Sequence, residues 1–185
     1  MPYSARDRTT YIRGGDPDGI NESTLYKPGE LGNCFSAAGG RRAYQLVQAD
    51  SGATADITSG VIAANDLAFW KDKTNFLVTN DIRQAERVTS VTGINAGRNQ
   101  VAGVFRGTVT AGNYTAVCQT GENIDVPDGG NTFAAGETII AEGAAVSAAD
   151  RIAVGTATTY QKLGVARGAA SGGVVAIDLH INSIE

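Results

Sequence analysis

The chain has 185 residues and a formal net charge of −4, with 15 Lys and Arg against 19 Asp and Glu and a single histidine. That length is enough for one domain to bury a hydrophobic core without metal or disulfide support. With His180 as the lone imidazole, multi-histidine metal sites cannot be built within one chain, and a Ser-His-Asp or Cys-His triad is not expected.

The composition holds 24 Gly and only 4 Pro, and 18% of residues are charged, below the roughly 25% of an ordinary soluble domain. Such a chain favours strands and tight turns over long helices. The charge is uneven: residues 118–185 carry 3 basic residues (Arg151, Lys162, Arg167) and 8 acidic ones. An acidic C-terminal third argues against nucleic acid as a partner, because phosphate binding needs clustered Lys and Arg. A basic protein surface stays open as a partner.

The first thirty residues are poor in apolar side chains and rich in turn formers, as in Gly14-Gly15-Asp16-Pro17-Asp18-Gly19 and Pro28-Gly29. They are expected to form an extended N-terminal arm over residues 1–30, followed by a single β domain over 31–185. Within the arm, Asp16-x-Asp18-Gly19 with Asn21 and Glu22 resembles the start of a calcium loop. Lys27 stands where such a loop places its bidentate acid, so no metal is expected there.

From Arg41 the pattern becomes alternating. Arg42 to Gln48 reads as a strand, closed by the turn signal Asp50-Ser51-Gly52. Asn65 to Lys73 offers an N-cap residue ahead of Leu67, Ala68 and Trp70, so a short helix or an aromatic-bearing loop is expected there. Phe69 and Trp70 beside Lys71 and Lys73 suit either a core position or a surface patch for stacking a sugar. Phe76 to Thr79, Val88 to Ile94 and Gln100 to Val109 supply further β-like runs.

After Gly112, glycines at 121, 129–130, 136, 143, 155, 164, 168 and 172–173 divide the chain into short segments, a rhythm suited to a small barrel or sandwich. In the last strand Val175, Ile177, Leu179 and Ile181 should face the core, and Ala176, Asp178, His180 and Asn182 the other side. Asp178 and His180 share that outer face at i, i+2. It reads as solvent or interface more readily than as a metal site. One internal echo is present: Gly103-Val104-Phe105-Arg106-Gly107 returns as Gly164-Val165-Ala166-Arg167-Gly168, each followed by a glycine turn and a strand. Each copy should form a hairpin. Arg106 and Arg167 could serve as anion hooks, but a structural role fits better.

Cys34 and Cys118 lie far apart, outside any C-x-x-C unit, and are expected to be free, buried thiols. No apolar run approaches the ~20 residues of a membrane span, and Met1 is followed by a polar segment, so the protein should be made and kept in a cytoplasm-like solution. Phosphate loops, dinucleotide fingerprints and nucleophile elbows do not occur. Gly173 to Asp178 faintly resembles a motif of trimeric β-fold nucleotide pyrophosphatases, without the companion tyrosine and serine motifs. No enzymatic activity and no cofactor are expected.

Several runs together carry a resemblance. They are Lys27-Pro28-Gly29-Glu30-Leu31, Tyr44 to Gln48 with Asp50-Ser51-Gly52, Gly97 to Gly107, Gly112-Asn113-Tyr114-Thr115 and Leu163-Gly164-Val165-Ala166. Across residues 27–185 the chain resembles the decoration, or cement, proteins of tailed bacteriophage capsids. The resemblance implies a mainly β fold, a small β-barrel or β-sandwich with at most one or two short helices. It implies a homotrimer on the outer capsid surface of the virion, bound to the phage major capsid protein, with no direct nucleic-acid or membrane contact. The arm residues Arg6, Arg8 and Arg13 would then pair acidic groups on the capsid. The rival expectation is a head-surface adhesin that holds host glycans with its body.

Overall fold

The computed structural model describes residues 31–35, 41–50, 61–80, 84–85, 101–141, 152–154 and 161–181. The arm over residues 1–30 and the run from Val88 to Ile94 lie outside them. Among the described residues the protein is mainly strand and turn, with no α-helix. The strands are β1 (Leu31–Phe35), β2 (Arg41–Ala49), β3 (Val61–Ile62), β4 (Leu67–Asp72), β5 (Leu77–Thr79), β6 (Val101–Phe105), β7 (Val109–Thr110), β8 (Tyr114–Pro127), β9 (Thr138–Ala141), β10 (Ile152–Val154), β11 (Lys162–Ala166) and β12 (Val174–His180).

Five of them close on themselves. β2 pairs in parallel with β5, then β5 with β4, β4 with β6 and β6 with β8 in antiparallel fashion, and β8 returns to β2. A closed ring leaves none of its strands with an unpaired edge along its full length. The expected small β-barrel is this ring. Beyond it, β8 continues into a second sheet in the order β8-β12-β11-β9-β10, while β1 extends the edge of β2. β3 and β7 form a separate two-stranded sheet.

Both faces of the ring are apolar. Residues directly opposite in an antiparallel ladder share a face. Tyr44 opposes Cys118, Leu46 opposes Ala116, Leu67 opposes Val104, and this face continues along the second sheet through Ile124, Ile139, Leu163 and Ile177. The other face carries Val47, Ala68, Trp70, Val78, Phe105 and Val117, joined by Ile62 and Val109 of the β3–β7 pair. Fully burying side chains such as Phe69, Phe105, Leu67 and Ile62 contributes about 1.5–3 kcal/mol each. β6 is buried at all five positions. Phe69 opposes Val101 whereas Ala68 opposes Gly103, so Ala102 is one extra residue that shifts the alternation between faces.

Two expectations need correction. Residues 67–72 form β4, not a helix or an aromatic-bearing loop. Asn65 takes φ 71°, and its N–H donates to the Phe105 carbonyl at 2.6 Å, so it ends a turn and caps no helix. Phe69 and Trp70 then point to opposite faces and both are buried, which only an extended chain between two cores allows. The second correction concerns the glycine rhythm, because β8 runs unbroken through Gly121 and β11 through Gly164. There glycine permits close approach: a Cβ on Gly121 would meet Arg42 Cγ at 2.8 Å, and one on Gly164 would fall on the Asp178 carbonyl oxygen. Elsewhere the rhythm does mark turns, with Gly112 at φ 86° and Gly172 and Gly173 at 64° and 84°. These serve the two echoed hairpins, β6–β8 and β11–β12.

The β4–β5 turn is held by Asp72. Its Oδ1 accepts from Asn75 N at 3.0 Å and its Oδ2 from Asn75 Nδ2 at 2.7 Å. The Asn75 side-chain bond, with help from backbone N–H groups, holds the Asp72 carboxyl below its ordinary range. A lowered folded-state value means that this contribution is present above the carboxyl's unfolded value and fades as pH falls through the folded one.

Gly164→Ala should destabilise the protein by about 3 kcal/mol in chemical denaturation, an overpacking effect. Gly168→Ala, where a Cβ meets nothing within 4 Å, should change stability little; equal effects at both positions would refute the close-approach explanation. Asn75→Ala should raise the Asp72 titration midpoint, followed by NMR, toward the ordinary carboxylate range. An unmoved midpoint would mean that the turn bonds do not set it.

Candidate functional site

The outward side of β12 and its neighbours is where the chemistry-bearing residues of the C-terminal third collect. Along β12, Val175, Ile177 and Leu179 are buried, as is Ile181 just beyond it, while Asp178 and His180 are exposed, as the alternation predicts. Register sets Asp178 opposite Val165 of β11, and His180 opposite Thr120 of β8.

A bulge in β8 shapes this face. Ile177 opposes Ile124 and Leu179 opposes Gly121, so Glu122 and Asn123 together face Asp178. Asn123 takes φ 54°, the left-handed conformation such a bulge needs. Its N–H reaches Asp178 Oδ1 at 3.5 Å. Arg167, just past β11, places Nη1 3.4 Å from Asp178 Oδ1 and 3.7 Å from Glu122 Oε2. The side chains of Arg167, Asp178 and Glu122 keep 43%, 50% and 68% of their exposure, so solvent screens the trio heavily. Asp178 is thus engaged by Arg167 on an open sheet face.

Further acids border it. Asp125 is half-buried on β8, Asp128 Oδ1 accepts from Gly130 N at 2.9 Å, and Glu137 Oε2 accepts from Ala134 N at 2.7 Å. Against Glu122, Asp125, Asp128, Glu137 and Asp178 the described part of this sheet sets only Lys162 and Arg167. Among the described residues, the acidic excess of the C-terminal third therefore lies on this sheet and its flanking turns. Among the described residues no group of three or more His, Cys, Asp and Glu is placed to hold a metal ion.

The two echoed arginines differ in duty. Arg106 is partly buried, and its Nη1 donates to Asn65 Oδ1 at 2.7 Å and to the Asp125 carbonyl at 3.4 Å. It ties the turn before β4 to the far half of β8, the structural role favoured above. Arg167 is the solvent-facing member. Cys118 is a buried thiol outside any disulfide, and it donates to the Thr120 carbonyl at 3.3 Å. Trp70 packs edge-on against Phe76 at 6.3 Å within the core, so Phe69 and Trp70 offer no stacking patch for a sugar. Arg6, Arg8, Arg13 and the Asp16-Asp18 turn lie outside the described residues.

Sequence reading missed two clusters. Asp50, taken as a turn former, is buried and meets Lys71 of β4. Glu122 and Asn123 gain their position from the β8 bulge. Neither has a local signature, because each depends on partners 21 and 55 residues away.

No family model, no curated protein and no solved structure matches the chain.

Arg106→Ala should destabilise the protein by about 2 kcal/mol, the scale of lost hydrogen bonds to a charged group. Arg167→Ala should stay within about 0.5 kcal/mol of the parent. Denaturant titration of both variants checks this, and a reversed order would overturn the assignment of duties.

Proposed function

We propose that the chain is a capsid decoration protein that binds the outer surface of a tailed-phage head and holds neighbouring major capsid subunits together. The observation that supports this reading is the outward face of β8 and β12, where Glu122, Asp125 and Asp178 gather beside Arg167 on a sheet that continues from the closed ring. A charged, solvent-facing sheet suits docking against a complementary surface. It concentrates Glu122, Asp125 and Asp178 where a basic protein surface can meet them, which aids both encounter and register. The resemblance over residues 27–185 points to the same partner.

The physical logic is linkage. A protein that bridges a seam binds only the closed arrangement, so its binding free energy adds to what separating the subunits requires. In this reading the chain acts as a homotrimer, which presents three such faces and three arms to one shell and gains avidity from tethering. The arm residues Arg6, Arg8 and Arg13 supply the opposite charge and pair acidic groups on the capsid. The place of action is the outside of the virion, after synthesis in the host cytoplasm, and the role uses neither catalysis nor cofactor.

Co-sedimentation with empty expanded phage shells tests the reading. The full chain should pellet with the shells, and the paired change Glu122→Lys with Asp178→Lys should weaken capture about tenfold while leaving the fold intact by circular dichroism. Deleting residues 1–25 should weaken attachment separately. A full chain that stays in the supernatant with expanded and unexpanded shells alike would overturn the proposal.

A further inference from the structure

Asp50 follows β2, Lys71 lies on β4, and β5 runs between these two strands in the ring. Their side chains nevertheless meet: Lys71 Nζ donates to Asp50 Oδ2 at 2.5 Å. Gln84 Oε1 accepts from the same nitrogen at 3.2 Å. The Asp50 side chain keeps only 7% of its exposure and the Lys71 side chain 32%. The backbone around the acid is pinned, because Asp50 N donates to the Val78 carbonyl at 2.8 Å and Ala49 N to the Asn113 carbonyl at 2.9 Å. Ala49 and Val78 are fully buried beside it.

We propose that Asp50 and Lys71 condense into an intramolecular isopeptide bond. Three features favour the reaction: an amine held against a carboxyl group, a fixed backbone at the acid, and little water around that carboxyl group. Such positioning replaces a bimolecular encounter with a step inside one molecule. The atoms balance without any other reactant. One proton passes from Nζ to Oδ2, giving the free amine and the carboxylic acid. The Nζ lone pair attacks Asp50 Cγ, the Cγ–Nζ bond forms and the Cγ–Oδ2 bond breaks. A second amine proton leaves with Oδ2 as one water, and the amide keeps the third. Gln84 Oε1 accepts one N–H and so helps hold the amine beside the acid. The exposed side of Lys71 is the exit for the expelled water. Burial on the Asp50 side slows its return and thus hydrolysis of the product.

The bond would clamp β2 to β4 across β5 and close a loop in the unfolded chain, limiting its freedom. It does not depend on the capsid reading.

Mass spectrometry of the full chain decides the matter. The purified protein should weigh one water less than its sequence requires, and a protease digest should contain one branched peptide joining the segment with Asp50 to the segment with Lys71. Lys71→Arg keeps the positive charge but cannot form this bond, so it should restore the full sequence mass. It should also remove the branched peptide. If that variant fails to fold, the wild-type digest alone settles the question. Only linear peptides, and a wild-type mass equal to the sequence mass after prolonged incubation, would overturn the proposal and leave an ordinary ion pair.

Discussion

The antiparallel ladder between β2 and β8 is the constraint from which the other parts of the fold follow. Along Thr115 to Thr120, β8 bonds β2 on one edge, while Val117 and Cys118 bond β6 on the other. That double pairing closes the ring. The same strand, continuing to Pro127, then becomes the first strand of the second sheet. One 14-residue strand therefore fixes the ring and orients the sheet. It also explains why the strand must not break at Gly121, where the missing side chain lets Arg42 and Ile124 pack close.

Burial on both faces of the ring follows from this continuity. One face merges with the inner face of the second sheet, so Phe69, Leu67 and Val104 belong to the same cluster as Ile177 and Leu163. The other gathers Phe105, Trp70 and Val117 with the small β3–β7 sheet. Strands buried on both faces lose the simple alternation of a half-exposed sheet. The bulge at Ala102 and the run Leu67-Ala68-Phe69-Trp70 are consequences, and they explain why β4 resembles a helix in its apolar spacing while being a strand.

Polar groups divide accordingly. Arg106, Asn65, Asp50 and Lys71 sit where elements meet, each with partners distant in sequence. Glu122, Arg167, Asp178 and His180 face outward on a sheet whose inner side is core. Internal polar contacts fix geometry, whereas the outer ones are modest interactions screened by solvent.

By itself the sequence determined what short-range periodicity encodes: a mainly β chain, the alternation of β2 and β12, the two glycine-turned hairpins after Gly103 and Gly164, and an acidic C-terminal third. Each of these is written in residues next to one another, where propensity and turn chemistry act. Tertiary structure alone decided the closure of the ring, the strand identity of residues 67–72, the passage of β8 and β11 through their glycines, the separate duties of Arg106 and Arg167, and the meeting of Asp50 with Lys71. Those features depend on which segments become neighbours across the sheet. Pairing between segments far apart in the chain is selected by packing of the whole core, for which a local stretch of sequence holds no signal.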